Sequence, residues 1–296
     1  MSALAATAIK PRRVQFDWAP TPAHWVPGDA QTTHTMNVLH LLLPAGEKWF
    51  VDVYRGALPY ITDEQLRDEV RGFMGQEAVH SRAHAAVLEH LAAQGIDTTP
   101  FTREIEWGFE RVGADAPFGR QVPKRLQRLW LVQRLAIIAA IEHFTAVLGV
   151  WIIDRSSALD QVGADPDMLD LLRWHGAEEV EHRSVAFDLY QHVSGSYARR
   201  VVAMLGTAVV MTLVWVLGVR FLMRNDPAQP GRATFRSFRE AGRRGTLPTF
   251  GSVLRSIPRY LARSHHPSQE GSTERALAYL AGSPAAQAAA ARAQVG

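Results

Sequence analysis

The 296-residue chain has no cysteine. That excludes disulfide scaffolds, thiol catalysis, iron–sulfur clusters and cysteine-ligated zinc. Any metal must be held by nitrogen and oxygen, and 12 histidines with 29 acidic residues supply both donors. Strand signals are scarce, no repeat of fixed period appears, and no nucleotide, flavin or haem motif is present. The first thirteen residues lack an apolar core followed by a cleavage site, so no secretory signal is expected. The length suits one large domain or two small ones. With 47% apolar and 21% charged residues, the composition is that of an ordinary globular protein.

The formal charge of +3 is unevenly placed. Between Arg220 and Ser264 stand ten arginines, no lysine, and only Asp226 and Glu240, a net +8; residues 1–219 carry −5. Ahead of this basic segment lies the most apolar stretch, Val201 to Val219, nineteen residues without a charge. At 1.5 Å per residue this run is roughly 28 Å long, close to the thickness of a bilayer core. Arg199, Arg200, Arg220 and Arg224 sit at its ends, where side chains reach headgroups. Membrane association is expected, in-plane or anchored, on the cytoplasmic side; a buried fifth core helix in a soluble cytoplasmic protein is the alternative.

Helical signals dominate. An irregular arm is expected over 1–30, then a helical region over 32–57 broken near Pro44 and Gly46. A second helix starts at a Thr62 capping box and runs to Gly95. After a connection over 95–119 holding a short helix at 103–112, a third long helix spans 123–158. The fourth opens at the Asp165-Pro166 cap and ends before Gly195. The domain reading is an arm (1–30), a four-helix bundle (31–196), an apolar helix (197–224), and an Arg-rich segment with a flexible, frayed tail (225–296). This is an all-α chain, a ferritin-like four-helix bundle with a crossover connection, an additional apolar fifth helix and a basic C-terminal segment.

Each long helix offers a carboxylate or imidazole. The first has Glu47; the second has Glu77 and His80 three apart, with His84 one turn on; the third has Glu142 inside an apolar run. On the fourth, His175, Glu179 and His182 form one stripe, with Glu178 in reach. Glu181 falls on another face and is expected to be solvated. The order Glu, Glu-x-x-His, Glu, Glu-x-x-His is the donor set of a carboxylate-bridged dimetal site. Four carboxylates offset two divalent cations, and imidazoles take terminal positions. Hard oxygen with borderline nitrogen favours iron, with manganese or zinc as alternatives. The expected ligands are Glu47, Glu77, His80, His84, Glu142, His175, Glu179 and His182, with Glu178 as the catalytic base.

The segments QEAVHSRAH, IEHF and WHGAEEVEHRSVAFD, with PAGEKWF and Tyr260…His266-Pro267, resemble the bacterial family of predicted metal-dependent hydrolases over roughly residues 14–268. The donor pattern is also similar to that of the p-aminobenzoate N-oxygenases, ferritin-like di-iron enzymes. That similarity implies Glu47, Glu77, His80, Glu142, His175, Glu179 and His182 as ligands; His84 departs from the N-oxygenase pattern.

The function expected first is a di-iron oxidoreductase or oxygenase acting with O2 on a small apolar or membrane-derived substrate. The alternatives are a metal-dependent hydrolase using a metal-bound water, and a non-enzymatic metal-binding membrane protein. Expected partners are the substrate and O2, an electron-donor protein, a membrane surface and a second copy of the chain in a homodimer, with no nucleic acid.

Overall fold

In the computed structural model, which describes residues 9–295, the chain runs through α1 (Ala30–Ala57), α2 (Glu64–Ala93), α3 (Thr99–Trp107) and α4 (Lys124–Asp154). Then come α5 (Ser157–Gln161), α6 (Pro166–His182), α7 (Val185–Val193) and α8 (Tyr197–Asn225). The C-terminal part folds as α9 (Phe235–Arg244), α10 (Phe250–Leu261), α11 (Thr273–Gly282) and α12 (Pro284–Val295). No strand occurs among the described residues, so the fold is an all-α helical bundle. Residues 1–8 of the expected arm and residue 296 of the expected tail lie outside the described residues.

The bundle forms from two helix pairs, α1 with α2 and α4 with α6 and α7, while α8 packs across α1 and α4. Asp29, Asp63 and Asp165 cap α1, α2 and α6 by accepting the N–H of Thr32, Leu66 and Met168. The cap of α2 is therefore Asp63, one residue beyond the expected Thr62. Pro44 does not break α1. Packing on α2 carries the helix through the missing amide, and Ser81 Oγ donates to the Pro44 carbonyl at 2.8 Å. α4 stops at Asp154, before the separate short α5, and between α2 and α4 the expected 103–112 helix divides into α3 and a π turn at Gly108–Val112.

The expected fourth helix is interrupted between His182 and Val185. Arg183 occupies this break and turns its guanidinium to the C-terminal segment, donating to the Pro267 carbonyl at 3.0 Å and to Thr273 Oγ1 at 2.9 Å. The alanine-rich tail is likewise a packed element. α12 buries Ala285, Ala286 and Ala289, lies against α6, and has the Ala285 amide held by Asp170 at 3.0 Å.

Small residues set the α4–α6 spacing. A Cβ on Gly149 would stand 2.5 Å from the Gly176 carbonyl oxygen, and one on Gly176 would stand 2.5 Å from Ile152 Cγ2. Glycine at both positions lets the backbones touch beside His175.

Among the described residues two helices are apolar and long enough to cross a membrane, α4 and α8; half of the apolar window of α4 is buried but only 22% of that of α8. One side of α8 meets the bundle through Met204, Gly218, Leu222 and Met223. The opposite side leaves Val202, Leu205, Val209, Leu213 and Val216 between 45% and 66% exposed.

Candidate metal centre

The helical periods bring nine acidic and imidazole side chains to one place. α1 supplies Glu47, α2 supplies Glu77, His80 and His84, α4 supplies Glu142, and α6 supplies His175, Glu178, Glu179 and His182. None of these residues is more than 6% exposed.

His182 Nε2 lies 3.4 Å from oxygens of Glu77, Glu142 and Glu179. On the other side, His80 Nδ1 lies 3.6 Å from Glu77 and 3.7 Å from Glu179. His175 Nε2 lies 2.8 Å from Glu179 and 3.7 Å from Glu47. The donors thus form two adjoining groups. One is Glu77, Glu142, Glu179 and His182; the other draws on overlapping sets of Glu47, Glu77, His80, His84, His175 and Glu179. Glu77 and Glu179 belong to both, so they stand between the two positions that cations would take.

The donor atoms have no other use. Both oxygens of Glu47, Glu77 and Glu142, with Glu179 Oε2, His80 Nδ1 and His182 Nε2, are buried and lack a hydrogen-bond partner. Burying polar atoms without partners costs roughly 1–3 kcal/mol each on mutational scales, and charged groups cost more. A set of nine such carboxylate and imidazole atoms aimed at one another has the chemistry to hold metal ions.

A second layer orients this set. Glu178 Oε2 accepts from His80 Nε2 at 2.8 Å, which turns Nδ1 inward. Gln76 Oε1 lies 2.9 Å from His182 Nδ1, and Gln76 Nε2 donates to Glu181 at 2.7 Å. Arg12 joins the two ends, donating to Glu178 at 2.7 Å and to both oxygens of Glu181 at 2.8 and 3.0 Å. Glu181 is therefore not a solvated residue. Its side chain is 4% exposed, because the arm brings a guanidinium over a face that the helix alone would leave open. Glu178, expected as the base, has one oxygen on His80 and the other on Arg12.

His84 uses both ring nitrogens on other histidines. Its Nε2 lies 2.5 Å from His175 Nδ1, and its Nδ1 lies 2.7 Å from His40 Nδ1. With His175 Nε2 facing the carboxylates, the Nδ1–H donates to His84, and His84 donates onward to His40. This pairing fixes the His175 tautomer, the part that carboxylate partners play for metal-binding histidines.

The electrostatics follow from crowding. Burial, then Glu179, pushes Glu142 up to about 8. Burial and Glu77 push Glu47 well above the usual carboxylate range. Burial works against His80, but its bond to Glu178 and the neighbouring charge of Glu77 raise it to about 10. Burial also opposes the charge of Glu179, yet His182 and His175 hold it well below the ordinary value. Burial lowers His40 to about 3 and keeps it neutral.

Arg12, His40, Gln76 and Glu181 belong to the cluster and escaped the sequence reading. Gln76 carried a signal, since it precedes Glu77 in the same motif. Arg12 carried none, because an arginine in an irregular arm has no periodicity to place it. Tyr54, whose buried hydroxyl has no partner, stacks on Phe73 at 5.0 Å, and Phe73 meets His182 edge-on at 4.6 Å.

A family model described as "Predicted metal-dependent hydrolase" matches residues 10–271, and the chain belongs to that family. Membership points to a metal-dependent enzyme, and the buried His/Glu clusters point to metal ions. No curated protein and no solved structure matches the chain.

Proposed function

We propose that the chain is a carboxylate-bridged dimetal oxidoreductase, with iron as its metal, that uses O2 on a small apolar substrate. One observation carries this reading. Glu77 and Glu179 lie between two histidine-capped groups, and Glu47 and Glu142 close the outer sides. Glutamates that shift between shared and terminal binding accommodate a changing metal charge, which hydrolysis at a fixed charge does not require.

When bound, two iron ions would supply the electrons and the Lewis acidity that O2 reduction needs. The protein's own part is positional. Glu178 and Gln76 hold His80 and His182 with one nitrogen inward, and His84 does the same for His175. Burial keeps water from the donors and strengthens every charge interaction within. A cavity of about 760 Å³ beside α1 sets Trp49 and Phe109, with rings 5.2 Å apart, among charged walls that include Lys48, Asp52, Glu110 and Arg134. An electron-donor protein would complete turnover.

The family description favours a second reading, hydrolysis with a redox-inert metal such as zinc. Glu178 would be its base, but the engagement of both oxygens by His80 and Arg12 argues against that role. Metal analysis and an absorption spectrum of protein purified without added metal separate the two. Two equivalents of iron with near-ultraviolet ferric bands, and O2 uptake on reduction, support the oxidoreductase. Colourless protein with bound zinc and no O2 uptake sinks it.

A further inference from the structure

We propose that the bare face of α8 is a docking surface for an anionic lipid bilayer, on which the helix lies in-plane instead of crossing. The inference concerns a surface and does not rest on the oxidoreductase reading.

The face is continuous and bounded. Val202, Val209, Leu213, Arg220 and Arg224 succeed one another at intervals of seven and four, which aligns them on one side of a helix. The apolar part is exposed, and Arg220 and Arg224 extend the same side into solvent at its C-terminal end. Arg199 stands at the other end, partly exposed, with one guanidinium nitrogen on the Leu129 carbonyl at 3.1 Å. Long arginine stems can then lie along acyl chains while their heads reach phosphates.

The opposite side of α8 explains why the helix has no polar face. It is buried on the bundle: a Cβ on Gly218 would meet Val38 at 3.1 Å, and Trp215 Nε1 donates to the Thr35 carbonyl at 3.0 Å. Protein covers one apolar side, and lipid would cover the other. A transmembrane span would strip these contacts from α1 and α4, so the geometry favours the in-plane mode.

Charge selects the occupant. α8 contains no acidic residue. Of the ten arginines from 220 to 263, only Arg236, Arg244 and Arg259 reach a carboxylate among the described residues. α10 packs beside α8 and adds exposed Phe250 and Leu254, and Phe250 meets exposed Phe235 of α9 at 6.2 Å. A second copy stacked face to face would set arginine ends together with no acid between them. Phospholipid headgroups of negative charge match both the apolar stripe and its basic ends.

The test is co-sedimentation of the full-length protein with vesicles of phosphatidylcholine alone, or mixed with phosphatidylserine, across a salt series. Wild type should pellet with the mixed vesicles and far less with the neutral ones. Leu213→Glu should stay in the supernatant, and the double variant R220E/R224E should partition at least about tenfold less at low salt. Helix content and bound metal equal to wild type certify that both variants fold. The proposal is overturned if wild type ignores the mixed vesicles, or if both variants pellet as wild type does. It is equally overturned if wild type is a dimer that Leu213→Glu splits while neither binds lipid.

Discussion

Glu178 accepts the Nε2–H of His80 at 2.8 Å while Arg12, 166 residues earlier in the chain, holds its other oxygen at 2.7 Å. The carboxylate is thereby committed to aiming an imidazole. A base takes a proton from the substrate side, and both oxygens of Glu178 already accept from other groups.

Glu178→Ala should accordingly weaken metal binding by about 10–100-fold, the usual cost of losing an outer partner of a ligand histidine. Competition titration against a chelator measures this. If affinity is unchanged and only turnover collapses, Glu178 is a base and the orienting role fails.

Glu142 belongs to one donor group and Glu77 to both. Glu142→Ala should therefore retain about one metal equivalent of two, the one on the His80 side, whereas Glu77→Ala should retain neither. Elemental analysis after desalting decides, and two equivalents in Glu142→Ala would remove that residue from the donors.

Metal-stripped protein should lose stability as pH rises from 6.5 to 8. Glu142 sits at about 8 in the fold against an ordinary 4.5, so its contribution is full below 4.5 and is lost as pH approaches 8. His80, raised to about 10 from 6.5, adds a loss that begins near 6.5. His40, at about 3, works oppositely, but its gain is complete once pH passes 6.5. Metal competes with these protons, so affinity should climb over the same interval. Thermal melts of stripped and loaded protein at both pH values provide the check; a stripped protein that melts higher at pH 8 contradicts the assignment.

The sequence made the helices and the inward-facing donors legible because both follow from period. Glu77 and His80, or His175, Glu179 and His182, share a face whatever the tertiary context. Residues whose place depends on another element were not legible. Glu181 looks solvated until the arm lays Arg12 over it, and Pro44 looks like a break until α2 supports the turn around it. The alanine-rich tail lacks a moment to reveal that its small side chains fit against α6. For α8 the composition was plain, but only packing tells the covered side from the bare one.

Gly176→Ala should destabilise the protein by about 1–3 kcal/mol, the range for overpacking a tight contact. Its new methyl would meet Ile152 and press on Gly149. Because His175 is the neighbouring residue, metal affinity should fall as well. Chemical denaturation and metal titration report each effect, and wild-type values in both would show that α4 and α6 have room to part.

The arm that carries Arg12 also has consequences for how the protein is made. Some of its partners are early, since Gln76 of α2 and Gln94 at its C-terminal cap donate to the Lys10 and Thr21 carbonyls at 3.3 and 2.9 Å. Others are late: Glu178 and Glu181 for Arg12, and Asp226 for His24 at 2.5 Å. Residues 9–29 are made before all of these elements, so the arm can rest on α2 early, but its ion pairs wait until α6 and the end of α8 have emerged. The ion pairs by which the arm locks the outer layer of the site are therefore among the later contacts it makes. An arm held away from α6 should then leave a folded bundle whose metal pocket stays loose.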